Sequence, residues 1–226
     1  MVDTNKNKIS SKHPVLDVRG VTHSFDYPLF SNVDLTLNEK ESIAIMGTSG
    51  SGKSTLLNIF STLLKPDSGE VYYNNQNIFT LSNKEILELR KNAFGIIFQS
   101  HYLFRGFNGV ENLHISELLN DTKIDDSLII KLKIDHILHQ GIGELSGGQQ
   151  QRLSTARVLT KKPKVIFADE PTGNLDKKTA IELIDILFEY IQQYNASLMI
   201  VTHEKDIAFR CDSVYELIDH KLERIK

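Results

Sequence analysis

The spacing of apolar and polar residues along the chain predicts strands in its first half and again after residue 160. Apolar residues occupy every second position of 32–37, the pattern of a strand with one face buried. Ser42–Met46 is instead an unbroken run of small and β-branched residues, which is typical of a strand covered on both faces of a parallel sheet. Strands are also predicted at 15–21, 94–98, 164–168 and 198–201.

Helical spacing alternates with these strands. It is seen at Lys53–Phe60, at 149–160 and over the long amphipathic stretch Lys177–Tyr194. Ser82, followed three residues later by Glu85, predicts a capped helix start. Residues 110–140 have helical periodicity and no strand signal, so we predict a helical subdomain over about 105–160, inserted in an α/β fold.

Composition narrows the class of protein. A chain of 226 residues suits one large α/β domain or at most two small ones, and we predict a polar tail at 1–14 ahead of a single domain at 15–226. The net charge of −3 argues against binding nucleic acid through positive charge. No apolar run approaches the roughly 18 residues of a membrane span, and the N-terminus lacks the apolar stretch of a secretory signal. The single cysteine, Cys211, suits a reducing cytosol, so we expect a soluble intracellular protein.

A glycine-rich loop carries the strongest chemical signal. Residues 47–54 read GTSGSGKS and fit the phosphate-loop pattern, directly after a predicted buried strand and before a predicted helix. Glycines let successive backbone amides point into one concavity, and the helix N-terminus adds positive potential. Lys53 would reach the β- and γ-phosphates and Ser54 would ligate Mg²⁺. The alternative without a binding function is a Ser/Gly-rich turn that matches the pattern by chance. The residues predicted to hold a nucleoside triphosphate here are Gly47, Thr48, Ser49, Gly50, Ser51, Gly52, Lys53, Ser54 and Thr55.

Two adjacent carboxylates end another predicted strand. Asp169 and Glu170 follow four apolar residues, at the strand end where α/β sheets place their ligands. We expect Asp169 to hold Mg²⁺ directly or through water and Glu170 to polarise the attacking water. Taken alone, the pair could instead cap the turn that begins at Pro171, but a phosphate loop in the same chain favours the Mg²⁺ site.

A third motif indicates a family. Residues 145–149 read LSGGQ, and a serine with two glycines before a helix forms a second anion-binding nest. With this motif the chain resembles the ATP-binding-cassette (ABC) ATPases over about residues 15–220. The motif order is the phosphate loop, a glutamine loop at Gln99, the signature with Ser146, Gly147, Gly148 and Gln149, the Walker B strand with Glu170, a D-loop at Asp176 and a switch histidine at His203.

The resemblance implies a fold and several roles. It implies a P-loop NTPase with a RecA-like core, an N-terminal antiparallel β subdomain and the inserted helical subdomain. Gln99 is expected to touch Mg²⁺ and the attacking water, and His203 to contact the γ-phosphate, although a lone histidine at a strand end is more often structural. Phe25 aligns with the aromatic residue that stacks on adenine. The expected catalytic residues are Glu170, His203, Lys53 and Gln99, with ATP and Mg²⁺ as nucleotide and metal.

The resemblance also implies partners. The nest at Ser146 would close over ATP held by a second copy, which gives a two-fold symmetric homodimer with Asp176 at its interface. Membrane permease subunits would dock in a groove beside Gln99 and on the helical subdomain, which is shorter between 112 and 145 than in typical relatives. The chain would then sit on the cytoplasmic face of the inner membrane.

Residues 94–103, 110–113 and 168–176 resemble the group that contains LolD, MacB and FtsE. A LolD-like role in lipoprotein release, or MacB-type mechanical export, would make the chain an ATPase that energises a membrane transporter. We favour the former because no membrane domain is attached to the cassette. An FtsE-like regulatory ATPase in cell division shares every catalytic residue and is the alternative. A soluble ABC protein acting on ribosomes or DNA is disfavoured by the single cassette and the negative charge.

His136 and His139 have the spacing of a metal pair, but no third ligand is evident and we expect both to be solvated.

Overall fold

A computed structural model describes residues 14–226, so the predicted tail at 1–14 lies outside them except for Pro14, which begins the first strand. The strands are β1 (Pro14–Ser24), β2 (Pro28–Asn38), β3 (Ser42–Met46), β4 (Ser68–Tyr73), β5 (Gln76–Asn77), β6 (Phe94–Ile97), β7 (Val165–Asp169), β8 (Ser197–Val201), β9 (Ser213–Ile218) and β10 (Lys221–Arg224). The helices are α1 (Lys53–Phe60), α2 (Asn83–Asn92), α3 (Gly109–Asn120), α4 (Asp126–Lys131), α5 (Gly147–Thr160), α6 (Lys177–Tyr194) and α7 (Lys205–Ala208).

Two sheets organise these elements. The first is antiparallel, with strand order β2-β1-β4-β5. The second has the order β10-β9-β3-β8-β7-β6, in which every neighbouring pair from β9 to β6 is parallel and only β10 runs antiparallel. The expected α/β class, with an N-terminal antiparallel unit and a parallel core, is therefore confirmed.

The parallel sheet is covered on both faces, as the unbroken apolar runs predicted. All five residues of β3 are buried. Ile43 and Ile45 point to the side that packs on α1 and the antiparallel sheet, whereas Ala44 and Met46 point to the side that holds α5 and α6. Burial on both faces removes the need for polar residues at alternate positions, which explains the pattern.

Four strands were not predicted from the sequence, namely β4, β5, β9 and β10. Three of the six residues of β4 are exposed, and β5 has only two residues. β10 is an edge strand and carries mostly charged side chains. Exposed or very short strands lack the apolar periodicity on which sequence interpretation depends. This reason does not apply to β9, which lies inside the sheet and is mostly buried.

The segment between β6 and β7 is helical. It contains α3, α4 and α5 with two short 3₁₀ turns at Asp135–Ile137 and Ile142–Glu144. The predicted cap of α2 is confirmed. The Ser82 side chain accepts a hydrogen bond from the backbone amide of Glu85, and the Glu85 carboxylate accepts one from the backbone amide of Ser82. Within residues 14–226 no helix is both long and apolar enough to cross a membrane.

Gly95 lets β6 approach α5 closely. A Cβ at this position would lie 2.8 Å from both Pro163 Cγ and Val158 Cγ1. We expect Gly95→Ala to lower the free energy of unfolding by about 1–3 kcal/mol, because the added methyl overpacks a buried contact. Urea denaturation checks this. Gly143→Ala is the control, since nothing lies within 4 Å of its added methyl, and it should stay within about 0.5 kcal/mol of wild type. Equal stability of the two variants would contradict the close approach.

Candidate active site

The carboxyl edge of the parallel sheet gathers the predicted chemistry. β3, β8, β7 and β6 are neighbours and run in the same direction, so their C-terminal ends lie along one edge. The loop at 47–52 leaves β3 there, Gln99 follows β6, Glu170 follows β7 and His203 follows β8. Ligands of open α/β sheets bind at this edge.

The glycine-rich loop needs its glycines. Gly47 has φ 153° and Gly52 has φ 103°, backbone conformations that side chains rarely tolerate. A Cβ on Gly47 would also lie 2.8 Å from Ser51 Oγ. Gly52 stands at the N-terminus of α1, so the loop leads directly to the first unpaired amides of a helix, an arrangement that favours phosphate.

Lys53 is folded back into this loop. Its side chain is buried, and its Nζ donates to the carbonyl oxygens of Gly47 (2.9 Å) and Thr48 (2.8 Å). An ammonium group among neutral carbonyls is a weakly compensated charge that an arriving phosphate would satisfy better.

Asp169 meets the phosphate loop. Ser54 Oγ donates to Asp169 Oδ1 at 3.0 Å, which joins the start of α1 to the end of β7. Burial raises the pKa of Asp169 above its usual value, and the neighbouring Glu170 carboxylate raises it further. Hydroxyl and carboxylate oxygens with excess negative charge fit a hard divalent cation such as Mg²⁺.

Glu170 and His203 form a pair beside them. His203 Nδ1 lies 2.9 Å from Glu170 Oε1, and Thr202 Oγ1 donates to Glu170 Oε2 at 3.2 Å. Glu170 has φ 44°, in the left-handed region that non-glycine residues seldom adopt, so its backbone is strained at the point where its side chain enters the site. The hydrogen bond to Glu170, and secondarily its charge, raise the pKa of His203.

We expect an NMR titration to find the pKa of His203 above its ordinary value of 6.5 and to find it lowered in Glu170→Gln. A pKa raised by folding means that the pair contributes stability below the unfolded-state pKa and loses it as pH rises through the folded-state pKa. Glu204→Gln is the control and should lower the pKa less, because the Glu204 charge is a smaller cause of the shift. An unchanged pKa in Glu170→Gln would refute the pairing.

Gln99 belongs to a polar junction of three segments. Asn174 Nδ2 lies 3.5 Å from the Gln99 carbonyl oxygen and 3.2 Å from His101 Nε2. The His101 carbonyl in turn accepts from Ser154 Oγ at 2.8 Å and from the Arg157 guanidinium at 3.3 Å. The residues after β6 are thereby tied both to α5 and to the turn that follows Glu170.

The signature motif forms the start of α5. Ser146 Oγ accepts from the Gln149 amide at 3.3 Å, and Gln149 Oε1 accepts from the Ser146 amide at 2.8 Å. A Cβ on Gly148 would lie 3.0 Å from Leu175 Cδ2, so the motif packs beside the 174–175 turn. Within residues 14–226 no hydrogen bond joins 146–149 to the phosphate loop, and the two anion-binding elements remain separate in one chain.

The remaining predicted residues lie on the surface. Phe25 is 59% exposed in the turn between β1 and β2, and its ring forms a T-shaped pair with the buried ring of His23 at a centroid distance of 4.9 Å. Asp176 caps α6, accepting from the amides of Lys178 and Thr179, and hydrogen bonds from Thr179 lower its pKa. His136 and His139 are exposed, as predicted.

Two contributors to the site were not foreseen, namely Thr202, which holds Glu170, and His101, which contacts Asn174. Thr202 directly precedes the predicted switch histidine, but nothing in its spacing shows that it contacts a residue 32 positions earlier. The first contact depends on the pairing of β7 with β8 and the second on the pairing of β6 with β7, and the sequence reveals neither pairing.

The chain matches known proteins in sequence and in fold. Residues 30–173 match the family described as "ABC transporter", more than half of the chain. The chain belongs to the ABC transporter family. Two curated relatives of this ABC protein are the lipoprotein-releasing system ATP-binding protein LolD of Rickettsia bellii and LolD 1 of Rhodopseudomonas palustris. The first is 42% identical over 84% of this chain and 86% of the relative, and the second is 34% identical over 92% and 98%.

Solved ABC cassettes share the fold. A dimeric post-hydrolysis state of the ATP-binding cassette MJ0796 bound to ADP and Pi superposes with a TM-score of 0.85 at 30% identity, covering 92% of this chain and 97% of that one. CbiO1 from Clostridium perfringens, part of the transporter complex cbiONQ, superposes with a TM-score of 0.80 at 28% identity, covering 92% and 86%. This ABC chain is accordingly a LolD-like ATP-binding subunit and an ATP hydrolase that energises a membrane transporter.

Proposed function

We propose that the chain powers a lipoprotein-releasing transporter of the inner membrane, and that ATP-driven closure of a cassette homodimer is the power stroke. The similarity to LolD relatives over most of both chains is the observation that carries the cargo assignment. The separation of the two anion-binding elements in one chain supports the dimer, because a second copy supplies the missing wall of each site.

In this proposal ATP lies along the phosphate loop with adenine on Phe25. Lys53 exchanges its two carbonyl partners for the β- and γ-phosphates. Closure brings Ser146, Gly147 and Gly148 of the partner copy onto the γ-phosphate, and their amides and hydroxyl complete the cradle. Asp176 then lies at the dimer interface.

Glu170 orients the attacking water, and its strained backbone and the contacts from Thr202 and His203 hold the carboxylate in place. Lys53 and His203 stabilise the charge that develops on the transferred phosphoryl group. Ser54, Asp169 and Gln99 would hold Mg²⁺, which when bound neutralises charge on the β- and γ-phosphate oxygens. Hydrolysis removes the γ-phosphate that bridges the copies, and the dimer reopens.

The membrane subunit would dock in a groove between α2 and α3 that we call the docking groove. Its lining includes Leu87, Phe98, Tyr102, Phe104 and Leu119, and its volume is about 640 Å³. Leu87, Tyr102 and Leu119 are each more than 60% exposed, a concentration of apolar surface typical of interaction sites. Phe98 precedes Gln99 directly, so this groove and the nucleotide site share one short segment.

Purification of tagged Glu170→Gln protein from its own cells, in mild detergent with MgATP, tests the assignment. We expect mass spectrometry to find an integral membrane subunit with a large extracytoplasmic domain. If only soluble proteins accompany the chain, the membrane role is wrong.

Proteoliposomes that hold this complex and an acylated lipoprotein then test the cargo. The wild-type complex should release lipoprotein into the supernatant on addition of ATP, and the Glu170→Gln complex should not. Hydrolysis without release would favour the regulatory, FtsE-like alternative.

A further inference from the structure

A row of aromatic rings joins the phosphate loop to the turn that carries Phe25. Gly52 of the loop packs on Phe30, since a Cβ on Gly52 would lie 3.2 Å from Phe30 Cδ1. The Phe30 ring is fully buried, and its centre lies 6.3 Å from that of the His23 ring. The His23 ring in turn forms the T-shaped pair with Phe25. These residues therefore make a continuous line of contacts from the phosphate loop to the exposed ring of Phe25.

Phe25 has little other support for its side chain. The side chain is 59% exposed, and among the described residues the His23 ring is its only aromatic contact. The Phe25 amide donates to the Tyr27 carbonyl oxygen at 3.1 Å, which closes the turn but does not fix the ring. An exposed ring keeps several rotamers unless a neighbour selects one. The His23 ring is such a neighbour, because an edge-to-face pair favours one relative orientation.

His23 is itself held in place by Asp67. The histidine is 6% exposed, and its Nδ1 lies 3.3 Å from Asp67 Oδ1, a contact that is not aligned as a hydrogen bond. Asp67 Oδ2 accepts from the Ser24 amide at 2.7 Å and from Ser24 Oγ at 2.8 Å. These hydrogen bonds from Ser24 lower the pKa of Asp67. One carboxylate thus contacts both residues that precede Phe25.

We infer that His23 is a positioning residue for ATP: its ring sets the orientation of Phe25, and so places the surface that receives adenine relative to the phosphate loop. The inference rests on the proposed function, which puts adenine on Phe25. The loop surrounds the phosphates with its own backbone, whereas the base depends on one exposed ring. A ring oriented in advance spares part of the entropy that ATP binding would otherwise cost. His23 therefore contributes to ATP affinity and leaves the chemical step unchanged.

ATP and inorganic tripolyphosphate together test the inference, because tripolyphosphate has the phosphates of ATP but no base. We expect His23→Ala to raise the KM and the dissociation constant for ATP about three- to tenfold, the share of an aromatic contact. Its kcat should stay within about twofold of wild type. The inhibition constant of tripolyphosphate against ATP hydrolysis should be unchanged. A merely structural histidine would weaken both ligands, because its loss would disturb the phosphate loop through Phe30.

Two further variants separate the ring of His23 from its volume. His23→Leu fills the buried space without a ring and should lose ATP affinity as His23→Ala does. His23→Phe restores a ring and should bind ATP within about twofold of wild type. If the alanine variant is unstable, this leucine–phenylalanine pair still decides the question.

Tyr27→Ala is the matched control. Tyr27 lies in the same turn and is also 59% exposed, but among the described residues its ring makes no contact with that of His23. Its ATP affinity should equal that of wild type. A double-mutant cycle provides the second check: once Phe25 is replaced by alanine, His23→Ala should weaken ATP binding no further, because the two residues act as one unit.

The hold of His23 on the ring can also be measured without nucleotide. The chain contains no tryptophan, so Phe25→Trp introduces a single fluorophore at this position. Its fluorescence anisotropy should fall when His23 is replaced by alanine in the same protein, because the indole then loses the neighbour that restricts it. Far-ultraviolet circular dichroism should show both proteins folded.

The outcomes separate the two claims. If His23→Ala binds ATP as wild type does while Phe25→Ala binds it more weakly, the inference is refuted and adenine stacking stands. If His23→Ala weakens tripolyphosphate as much as ATP, His23 supports the phosphate loop and the inference is overturned. If the anisotropy falls but Phe25→Ala binds ATP as wild type does, His23 orients the ring and it is the adenine contact of the proposed function that fails.

Discussion

Replacing Glu170 by glutamine is expected to slow ATP hydrolysis by about 10²–10³-fold while ATP remains bound. Glutamine keeps the size of the side chain and can still accept from Thr202, but it cannot take a proton from water. A closed dimer that forms with ATP and opens only after hydrolysis should therefore accumulate. Phosphate release and gel filtration in MgATP measure the two effects.

Glu204→Gln is the matched control for that variant. The Glu204 carboxylate accepts a hydrogen bond from Thr172 and has no such contact with His203. Hydrolysis by Glu204→Gln should therefore stay within about threefold of wild type. A Glu170→Gln protein that elutes as a monomer in MgATP would refute the dimer mechanism. A Glu170→Gln protein that hydrolyses ATP at the wild-type rate would show that Glu170 is not a catalytic residue.

Replacing Lys53 by alanine is expected to abolish hydrolysis, a loss of about 10³-fold or more. The ammonium group is the cation held inside the phosphate loop, and its loss leaves the developing charge on the γ-phosphate without that donor. Initial rates of phosphate release measure the effect. ATP affinity from equilibrium dialysis should fall as well, because the same group contacts the ground-state phosphates.

Lys65→Ala is the control for the loss of a lysine outside the site, since Lys65 is exposed beyond the end of α1. Its hydrolysis rate should equal that of wild type. Circular dichroism of Lys53→Ala should retain the wild-type spectrum, so that loss of rate reports chemistry and not unfolding. Near-normal turnover of Lys53→Ala would overturn the assignment of the phosphate loop.

The buried parts of this fold could be predicted because burial leaves a sequence pattern. β3 and β8 are covered on both faces and appear as unbroken apolar runs, and the phosphate loop is marked by glycines whose positive φ excludes other residues. Exposed strands leave no such pattern. β4 and β10 are held by backbone hydrogen bonds to their neighbours, which almost any side chain permits.

The residues of the site also fall into those that the sequence predicts by itself and those that it does not. The phosphate loop and the Asp169–Glu170 pair could be predicted from chemistry and spacing, whereas Gln99, Phe25 and His203 were assigned by resemblance alone. The partners of Glu170 depend on the register that sets β7 beside β8, and no local pattern encodes register. The meeting of Arg90 and Lys91 with Arg157 and Lys161 in the docking groove was also beyond prediction, since α2 and the end of α5 are far apart in sequence and meet only in the fold.

The cap of α5 leaves Ser146 with a hydrogen to spare. A hydroxyl has one hydrogen and two lone pairs, and the Gln149 amide occupies only a lone pair. Aspartate would cap this helix equally well, yet it has no hydrogen to offer and would bring a negative charge toward a triphosphate. The atom that starts the helix and the atom that would meet the nucleotide therefore belong to one hydroxyl group. A position that helix stability alone would leave interchangeable between serine and aspartate is closed to aspartate by the proposed contact with the nucleotide.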